Sequence, residues 1–310
     1  MHRIKIEAVS PSALAKRPAL AAILGALVIA SSAILVRLAD VAPSTAAFFR
    51  CAYALPPLFL ITLWEKRRFG PLDRATVHLA SIAGLFFAAD LVFWHHSIAE
   101  VGAGLATVLG NTQVVMVPFL AWLVLKERPG VNIVASVVLV MAGVVLISGI
   151  VGADQAYGRN PRLGVVYGIA TGMAYAGFIL VQRQANRDQR RPGGPLLFAT
   201  ATAAVASLGA GLPLGEINLA PTWPAHGWLL VLGLGVQVGG WLLISVSLPR
   251  LPAAVTSILL TIQPVGSVLM GRLIFDERPS MAQLSGVGLI VAGLILTGRF
   301  RSRPVMVAPG

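Results

Sequence analysis

Charged side chains are scarce in this chain of 310 residues. Asp, Glu, Lys and Arg make up 12% of it, about half the share usual in a soluble domain. Hydrophobic residues make up 56% of it, more apolar surface than a soluble core of this size can bury. The composition therefore excludes an ordinary soluble domain. It indicates membrane-spanning helices, each of which needs about 20 mostly apolar residues.

Cysteine is almost absent, since Cys51 is the single one, and the five histidines are scattered. One cysteine excludes an intrachain disulfide or a cysteine metal cluster, and an apolar run around it favours a small buried side chain. Only His95 and His96 are close in sequence, and no further ligands stand near them. We predict no metal and no cofactor. At most one of the pair is expected to face a cavity, and which one is left open.

Motifs of catalysis and of nucleotide binding are also missing. The sequence contains no phosphate-binding loop and no catalytic triad, so pumping driven by ATP would need a partner protein. An integral-membrane enzyme acting on lipid would be expected to show a cluster of His, Asp or Glu near one interface, which is not seen. We predict that the protein is not an enzyme. A membrane enzyme and a scaffold without transport remain the less favoured alternatives.

Ten apolar spans account for most of the chain, and we predict an all-α membrane protein with ten transmembrane helices. The spans cover residues 19–38, 43–63, 76–98, 103–125, 131–151, 162–182, 195–215, 226–248, 252–274 and 280–298. Residues 1–18 form a basic N-terminal segment and residues 299–310 form a tail. The first span is longer than the apolar core of a signal peptide, so we expect it to be retained.

The basic residues are distributed unevenly among the loops. If the N-terminus is cytoplasmic, 18 of the 24 Lys and Arg residues fall in inside segments and 5 in outside segments. Such a bias predicts a multi-pass protein of the cell membrane with both termini in the cytoplasm. The same bias explains the net charge of +12, because the basic face of the protein contacts anionic lipid. We therefore predict the lipid bilayer as a partner, and not nucleic acid.

The segment 90–129 returns at 240–279 with an offset of 150 residues. Gln113 is matched by Gln263, Thr107 by Ser257, and the Glu-Arg-Pro triplet at 127–129 by the triplet at 277–279. A match in one register across two spans indicates internal duplication. Because each half holds five spans, an odd number, the second half must lie inverted in the membrane. Inverted repeats are a common architecture of secondary transporters.

These residues resemble the EamA-type branch of the drug/metabolite transporter superfamily. The resemblance rests on Phe48-Phe49-Arg50 in the second span, on Asp90, Trp94 and Ser97 in the third, on Asn111 and Pro118 in the fourth, and on the Glu-Arg-Pro triplets. It covers about residues 20–298. It implies two inverted five-helix repeats, here residues 19–151 and 162–298. It also implies a central cavity lined by the first, third, fourth, sixth, eighth and ninth spans. Members export amino acids, other metabolites or drugs.

Asp90 is the acidic residue that lies deep in an apolar span, and such a carboxylate predicts a functional site with a specific partner. Arg50, at a similar depth in the second span, is one candidate partner, and a substrate cation is the other. If the two meet, they form a structural or gating pair. If they do not, Asp90 can bind a proton or a substrate amine. The position matching Asp90 in the second half is Gly240, an asymmetry that favours a ligand role.

Helical spacing of about 100° per residue selects the other candidates. We predict that the substrate contacts polar and aromatic residues on the spans that the resemblance places at the cavity, namely Asp90, Trp94, Thr107, Asn111, Tyr175, Trp241, Ser257 and Thr261. Asp90 and Arg50 are the candidates for coupling or gating. The roles of Gln113 and Gln263, as ligand contacts or bridges between helices, are left open.

The favoured function is a secondary-active exporter of small metabolites such as amino acids or amines, working by alternating access. The alternative within transport is a multidrug exporter of lipophilic cations, which an aromatic wall would also suit. A monomer suffices because one chain holds both repeats, and a dimer is left open.

Overall fold

The computed structural model describes residues 16–148, 160–275 and 280–298, and the regular structure in these residues is helical throughout. A π-helical segment spans Leu232–Gly240, and a short 3₁₀ turn spans Leu248–Arg250. The α-helices are α1 Pro18–Ala30, α2 Ser32–Ala39, α3 Pro43–Phe69, α4 Arg74–Gly110, α5 Gln113–Leu125, α6 Val131–Ile147, α7 Pro161–Ala185, α8 Gly193–Gly211, α9 Ala225–Val231, α10 Trp241–Ser247, α11 Ala253–Leu260, α12 Ile262–Phe275 and α13 Met281–Gly298.

The helices have the length and composition of a multi-pass membrane protein. In the described part of the chain, 8 segments are long and apolar enough to cross a membrane, and α6 and α13 are shorter apolar helices. Large apolar side chains lie exposed on the outside of the bundle, for example Leu60, Val138 and Leu273. A soluble monomer rarely exposes so much apolar surface, whereas lipid covers it at no cost.

The chain reverses direction inside α4. A Cβ atom on Gly110 would lie 3.7 Å from Trp94 Cδ1, whereas a straight helix would separate the two residues by about 24 Å. The third and fourth predicted spans, 76–98 and 103–125, are therefore not separate helices, because helical backbone continues through the residues between them. Two antiparallel arms result, Arg74–Ser97 and Ala106–Leu125.

Helix α7 packs into the corner between these arms through a stripe of glycines. A Cβ atom on any of these glycines would collide with the facing arm, so only glycine permits this approach. The facing pairs are Gly164 with Val101, Gly168 with Leu109, and Gly172 with Thr112. The Ser97 hydroxyl also donates to the Gly164 carbonyl oxygen at 2.9 Å. The sixth predicted span is thereby fixed against the third and the fourth.

One end of the bundle collects the basic loops. Arg191 donates to the Gly70 carbonyl oxygen at 3.0 Å, Arg183 Nη1 lies 2.6 Å from Glu127 Oε1, and Arg250 donates to the Gln189 carbonyl oxygen. These contacts join the loops after α3, α5, α7 and α10, and we call this side of the bundle the basic end. The opposite end holds the loop after α8, where the Ser44 hydroxyl donates to Glu216 Oε2 at 2.5 Å.

Helices α6 and α13 pack in opposite directions. Gln283 near the start of α13 donates to the carbonyl oxygen of Ile147 at the end of α6. Near the middle of the pair, a Cβ atom on Gly143 would lie 2.7 Å from the Gly286 carbonyl oxygen. The two matched helices of the repeat are therefore antiparallel neighbours.

Several helices are interrupted near the middle of the bundle. The first predicted span breaks at Ser31, the fourth between Gly110 and Gln113, and the ninth at Thr261. The last two breaks fall at the same place in the 150-residue repeat. Interrupted helices at this depth are typical of the binding sites of secondary transporters, because they expose backbone groups where a cavity can solvate them.

Some predictions fall on residues outside the described ranges. The second Glu-Arg-Pro triplet at 277–279, the N-terminal segment up to residue 15, most of the loop between the two halves and the C-terminal tail are among them.

Candidate functional site

A cavity of about 400 Å³ lies in the middle of the bundle, within the size range of small-molecule sites. Its wall comes from both halves of the chain and from all three interrupted spans. The lining residues are Ile29, Ala30, Ser32, Ala33, Arg50, Phe87, Asp90, Leu91, Trp94, Thr107, Gly110, Asn111, Gln113, Ile147, Ser148, Thr171, Tyr175, Trp241, Leu260, Gln263, Pro264, Ser267 and Val268.

The cavity contains one acidic and one basic side chain, Asp90 and Arg50. Arg50 Nε donates to Gln237 Oε1 at 2.9 Å, and its guanidinium lies 5.3 Å from the centre of the Phe87 ring. Within the described residues, no ion pair joins Arg50 to Asp90. The two charges therefore share a cavity without neutralising each other by direct contact, which leaves both able to bind a ligand.

An aromatic cluster forms one wall. The Trp241 ring, 1% exposed, packs edge-on against Phe87 at 5.7 Å and Tyr175 at 6.2 Å between ring centres. Phe178 packs behind them, 4.7 Å from Phe87 and 4.8 Å from Trp241. Aromatic faces attract cationic ligands and bury apolar groups, so this wall suits an amine or an aromatic substrate.

Two polar atoms of the wall are buried without a hydrogen-bond partner in the described structure: Trp241 Nε1, a donor, and Gln113 Oε1, an acceptor. A buried polar group that lacks a partner costs about 1–3 kcal/mol. A ligand that accepts from Trp241 or donates to Gln113 would recover that free energy. The two atoms are therefore candidate contacts for a polar substrate group.

Most of the predicted site residues line this cavity. Asp90, Trp94, Thr107, Asn111, Tyr175 and Trp241 do so, and so does Arg50. These residues were predicted from helical spacing and from the family's order of helices. They lie on five of the predicted spans and meet at one cavity. Substrate contact itself stays a prediction.

Ser257 and Thr261 lie outside the lining, which corrects the predicted cavity face of the ninth span. Both are fully buried, and their hydroxyls donate to backbone oxygens of their own helix, those of Ala254 and Ile258. The physical reason is that both lie before or at the interruption at Thr261, whereas the part of the ninth span that faces the cavity lies mainly beyond it. Gln263, Pro264 and Ser267 line the cavity in their place.

The paired glutamines are the contacts that helical spacing missed. Gln113 Nε2 donates to the Ser257 carbonyl oxygen at 3.4 Å, and Gln263 Nε2 donates to the Tyr175 hydroxyl at 3.3 Å. Gln113 thus bridges the two halves, whereas Gln263 joins two helices of the second half, and both glutamines line the cavity. Their match across the repeat was the signal in the sequence that could have found them.

The two histidines of α4 are not among the lining residues. His95 Nδ1 and His96 Nδ1 lie 2.7 and 2.8 Å from the carbonyl oxygens of Leu91 and Val92, four residues earlier. In the described residues, no group of three or more His, Cys, Asp or Glu side chains could hold a metal ion.

A polar barrier separates the cavity from the basic end. Glu127 Oε1 pairs with Arg183 Nη1, and Glu127 Oε2 accepts from the backbone N–H of Ala253 at 3.1 Å. Arg183 Nε donates to the Leu248 carbonyl oxygen at 3.1 Å. The barrier therefore ties the end of α5 to helices of the second half. At the opposite end the cavity lining reaches Ile147 and Ser148, the last residues of α6 and its cap.

The loop after α7 at the basic end is held by its own ion pairs. Hydrogen bonds from the Arg190 side chain lower the pKa of Asp188 to about 2. The carboxylate therefore stays ionised at physiological pH, and this loop adds no titration to the site.

Comparisons with known proteins agree with this architecture. The profile of the EamA-like transporter family matches residues 16–149 and 162–299. The Bacillus subtilis protein named uncharacterized transporter YwfM is 25% identical over 224 residues, which cover 72% of this chain and 71% of that protein.

A shorter match joins the chain to a Pseudomonas paraeruginosa protein named as a probable 4-amino-4-deoxy-L-arabinose-phosphoundecaprenol flippase subunit, ArnE. It is 37% identical over 82 residues, 26% of this chain and 66% of that protein. A solved crystal structure shares the fold with a TM-score of 0.77 at 19% identity, and the match covers 91% of this chain and 98% of that one. Because the family profile matches both halves nearly end to end, this membrane protein belongs to the EamA-like transporter family.

Proposed function

We propose that this protein is a secondary-active transporter that exports a small amine-bearing metabolite, such as an amino acid, through the central cavity. The observation that carries the proposal is the cavity's pair of opposite charges, Asp90 and Arg50, against an aromatic wall. In this proposal Asp90 binds the amine, while Trp94, Tyr175 and Trp241 enclose the apolar part. Thr107 and Asn111 offer hydrogen bonds. Asp90 and Arg50 also serve coupling or gating.

Export of lipophilic cations is the second candidate. Asp90 and the aromatic wall would suit such a substrate, but the guanidinium of Arg50 in the same cavity would repel a cation that has no anionic group. The name of the Pseudomonas relative describes an amino sugar linked to a lipid phosphate. That name supports an amine as part of the substrate here, although the match covers 26% of this chain.

We also propose ten transmembrane helices in two inverted repeats, 19–151 and 162–298. Under the 150-residue offset, Gly143 corresponds to Gly293, and Gly286 corresponds to Ser136. The contact between Gly143 and Gly286 therefore has a counterpart, because a Cβ atom on Gly293 would lie 3.2 Å from the Ser136 carbonyl oxygen. Antiparallel packing of matched helices supports an axis in the membrane plane. An experimental structure in which an axis along the membrane normal relates the halves would refute this arrangement.

A second pair of contacts supports the same symmetry. The Glu65 carboxylate accepts from the backbone N–H groups of Gly193 and Gly194 at 2.9 and 2.8 Å. The Glu216 carboxylate accepts from the hydroxyl of Ser44, which the offset matches to Gly194. Each end of the α3–α8 pair thus has a carboxylate that binds the start of one helix: Glu65 from near the end of α3, and Glu216 from the loop after α8.

We propose that the basic end is cytoplasmic, as the excess of Lys and Arg there favours. The cavity, which extends toward the opposite end, is then outward-facing. Gln189→Cys at the basic end should react with an impermeant maleimide only after the cells are permeabilised, and Ala220→Cys should react in intact cells. The native Cys51 is buried and gives a low background. Labelling of both positions from the same side would contradict the topology.

Counterflow in proteoliposomes tests the transport proposal. Vesicles containing the protein and a high concentration of an unlabelled amine or amino acid should accumulate the same labelled solute transiently, without any nucleotide. Imposed pH and voltage gradients then identify the coupling. Failure of every amine, amino acid and lipophilic cation to exchange above empty vesicles would contradict transport by this protein.

A further inference from the structure

Gln237 holds Arg50 in a fixed orientation at the cavity wall. Its Oε1 accepts from Arg50 Nε at 2.9 Å, while its Nε2 donates to Thr200 Oγ1 at 3.1 Å. Gln237 and Thr200 are each 1% exposed. Because both ends of the amide are engaged, the oxygen faces Arg50, and the hydrogen bond fixes the plane of the guanidinium.

The π-helical segment explains why Gln237 can reach Arg50. Leu232–Gly240 forms i→i+5 turns, which are frequent at functional sites. Gly233 in this segment lies against α3, and a Cβ atom there would be 3.1 Å from the Arg50 carbonyl oxygen. The segment therefore brings Gln237 beside Arg50.

Among the described residues, no carboxylate forms an ion pair with the Arg50 guanidinium. Gln237 is neutral, and Phe87 contacts the guanidinium at 5.3 Å. A guanidinium has five N–H donors, of which Nε carries one and the two terminal nitrogens carry four. Arg50 is 7% exposed and lines the cavity. A buried cation of this kind gains from an anion that can bind its fork in two places.

We propose that Arg50 binds the carboxylate of the substrate and that Gln237 is the residue that positions it. The inference rests on the proposed transport function and deepens it. Asp90 lines the same cavity without pairing with Arg50, so the amine and the carboxylate of one zwitterionic molecule bind to opposite charges. A substrate with both groups then binds more tightly than one that has the amine alone.

Equilibrium binding to the purified protein in nanodiscs tests this assignment with four probes that share a phenyl ring. L-Phenylalanine has both groups, phenethylamine has the amine, 3-phenylpropionate has the carboxylate, and phenyl phosphate has a different anion. For the wild type we expect phenylalanine to bind about tenfold or more tightly than phenethylamine, as a charge-assisted hydrogen bond pair predicts. Absence of this preference would overturn the proposal, and so would tighter binding of phenyl phosphate than of 3-phenylpropionate.

Variants separate positioning from structural support. Arg50→Gln should reduce the preference to within about twofold, and Gln237→Glu, whose carboxylate competes for Arg50, should reduce it by about fivefold or more. Phenethylamine should bind at least as tightly to Arg50→Gln as to the wild type, because the guanidinium that repels a cation without an anionic group is gone. The reduced preference should therefore come from weaker binding of phenylalanine. The matched control is Gln182→Met, at a glutamine that is equally buried and lies outside the lining, and it should keep the wild-type preference.

A merely structural role for the Arg50–Gln237 contact predicts a different outcome. Such variants would lower the unfolding temperature and weaken all four probes alike, leaving the preference unchanged, and that result would overturn the proposal. If Arg50→Gln does not fold, Gln237→Glu decides by the same ratio. Counterflow of phenethylamine with no preference for the carboxylate would leave the transport function standing and remove this inference alone.

Discussion

Replacing Asp90 with Asn should lower counterflow by about tenfold or more while the protein remains folded. Asp90 lines the cavity and forms no ion pair with Arg50. Neutralising it therefore removes the charge that we propose binds the substrate amine, without leaving a pair partner uncompensated. Breaking a buried structural pair would instead cost about 3–5 kcal/mol of folding free energy.

The measurement pairs counterflow with thermal unfolding in detergent. The unfolding temperature of Asp90→Asn should stay within about 2 °C of the wild type. Glu100→Gln, on the same helix and outside the cavity lining, is the matched control and should transport normally. Normal transport by Asp90→Asn would remove Asp90 from the mechanism. Loss of folded protein would show a structural role.

Replacing Glu127 with Gln should open the basic end of the protein. The carboxylate joins Arg183 and the backbone N–H of Ala253 in this structure, and both partners belong to the second half. Alternating access requires these contacts to break in the opposite state, so weakening them shifts the population toward it. A loss of about 1–2 kcal/mol corresponds to roughly a five- to thirtyfold shift.

Ser257→Cys provides the probe for this opening. Ser257 is fully buried, and its hydroxyl donates within its own helix, so the change is nearly isosteric. In the Glu127→Gln background the thiol should react with a maleimide about fivefold faster or more. Arg190→Gln is the control, because it breaks an ion pair that stays within one loop. Equal reactivity in all three backgrounds would rule out Glu127 as part of the barrier.

The membrane spans could be predicted because hydropathy is a property of whole segments. The predicted span 43–63 and the helix Pro43–Phe69 begin at the same residue, and the third predicted span, 76–98, lies close to Arg74–Ser97. Lys66, Arg67 and Arg68 extend the second helix beyond the apolar run. Hydropathy could not predict this last turn, because it is polar and lies beyond the part of the helix that needs apolar residues.

Cavity residues could be predicted where the helix is regular. Asp90 and Trp94 are four residues apart on one regular arm, so spacing alone put them on one face. Prediction failed beyond the break at Thr261 and did not foresee the π-helical segment. A constant helical period of 3.6 residues cannot reproduce such changes, and Gln237 was therefore not among the predicted site residues.

The partner of Arg50 could not be derived from depth in the membrane. Arg50 and Asp90 were expected at similar depths, and both do line the cavity. A long side chain can reach several neighbours at one depth in the membrane. Here Arg50 Nε donates to the neutral side-chain amide of Gln237. The partner of Arg50 depends on the packing of the second half, because Gln237 lies 187 residues from Arg50 in sequence.

Counterflow before and after alkylation of Asn111→Cys tests most directly whether the central cavity is the transport path. Asn111 lines the cavity at the break in the fourth span, and Cys51 is buried. Complete modification of the new thiol from the outside should abolish counterflow of a solute that the unmodified variant exchanges, and that solute should slow the modification. Complete modification with unchanged counterflow would contradict the account.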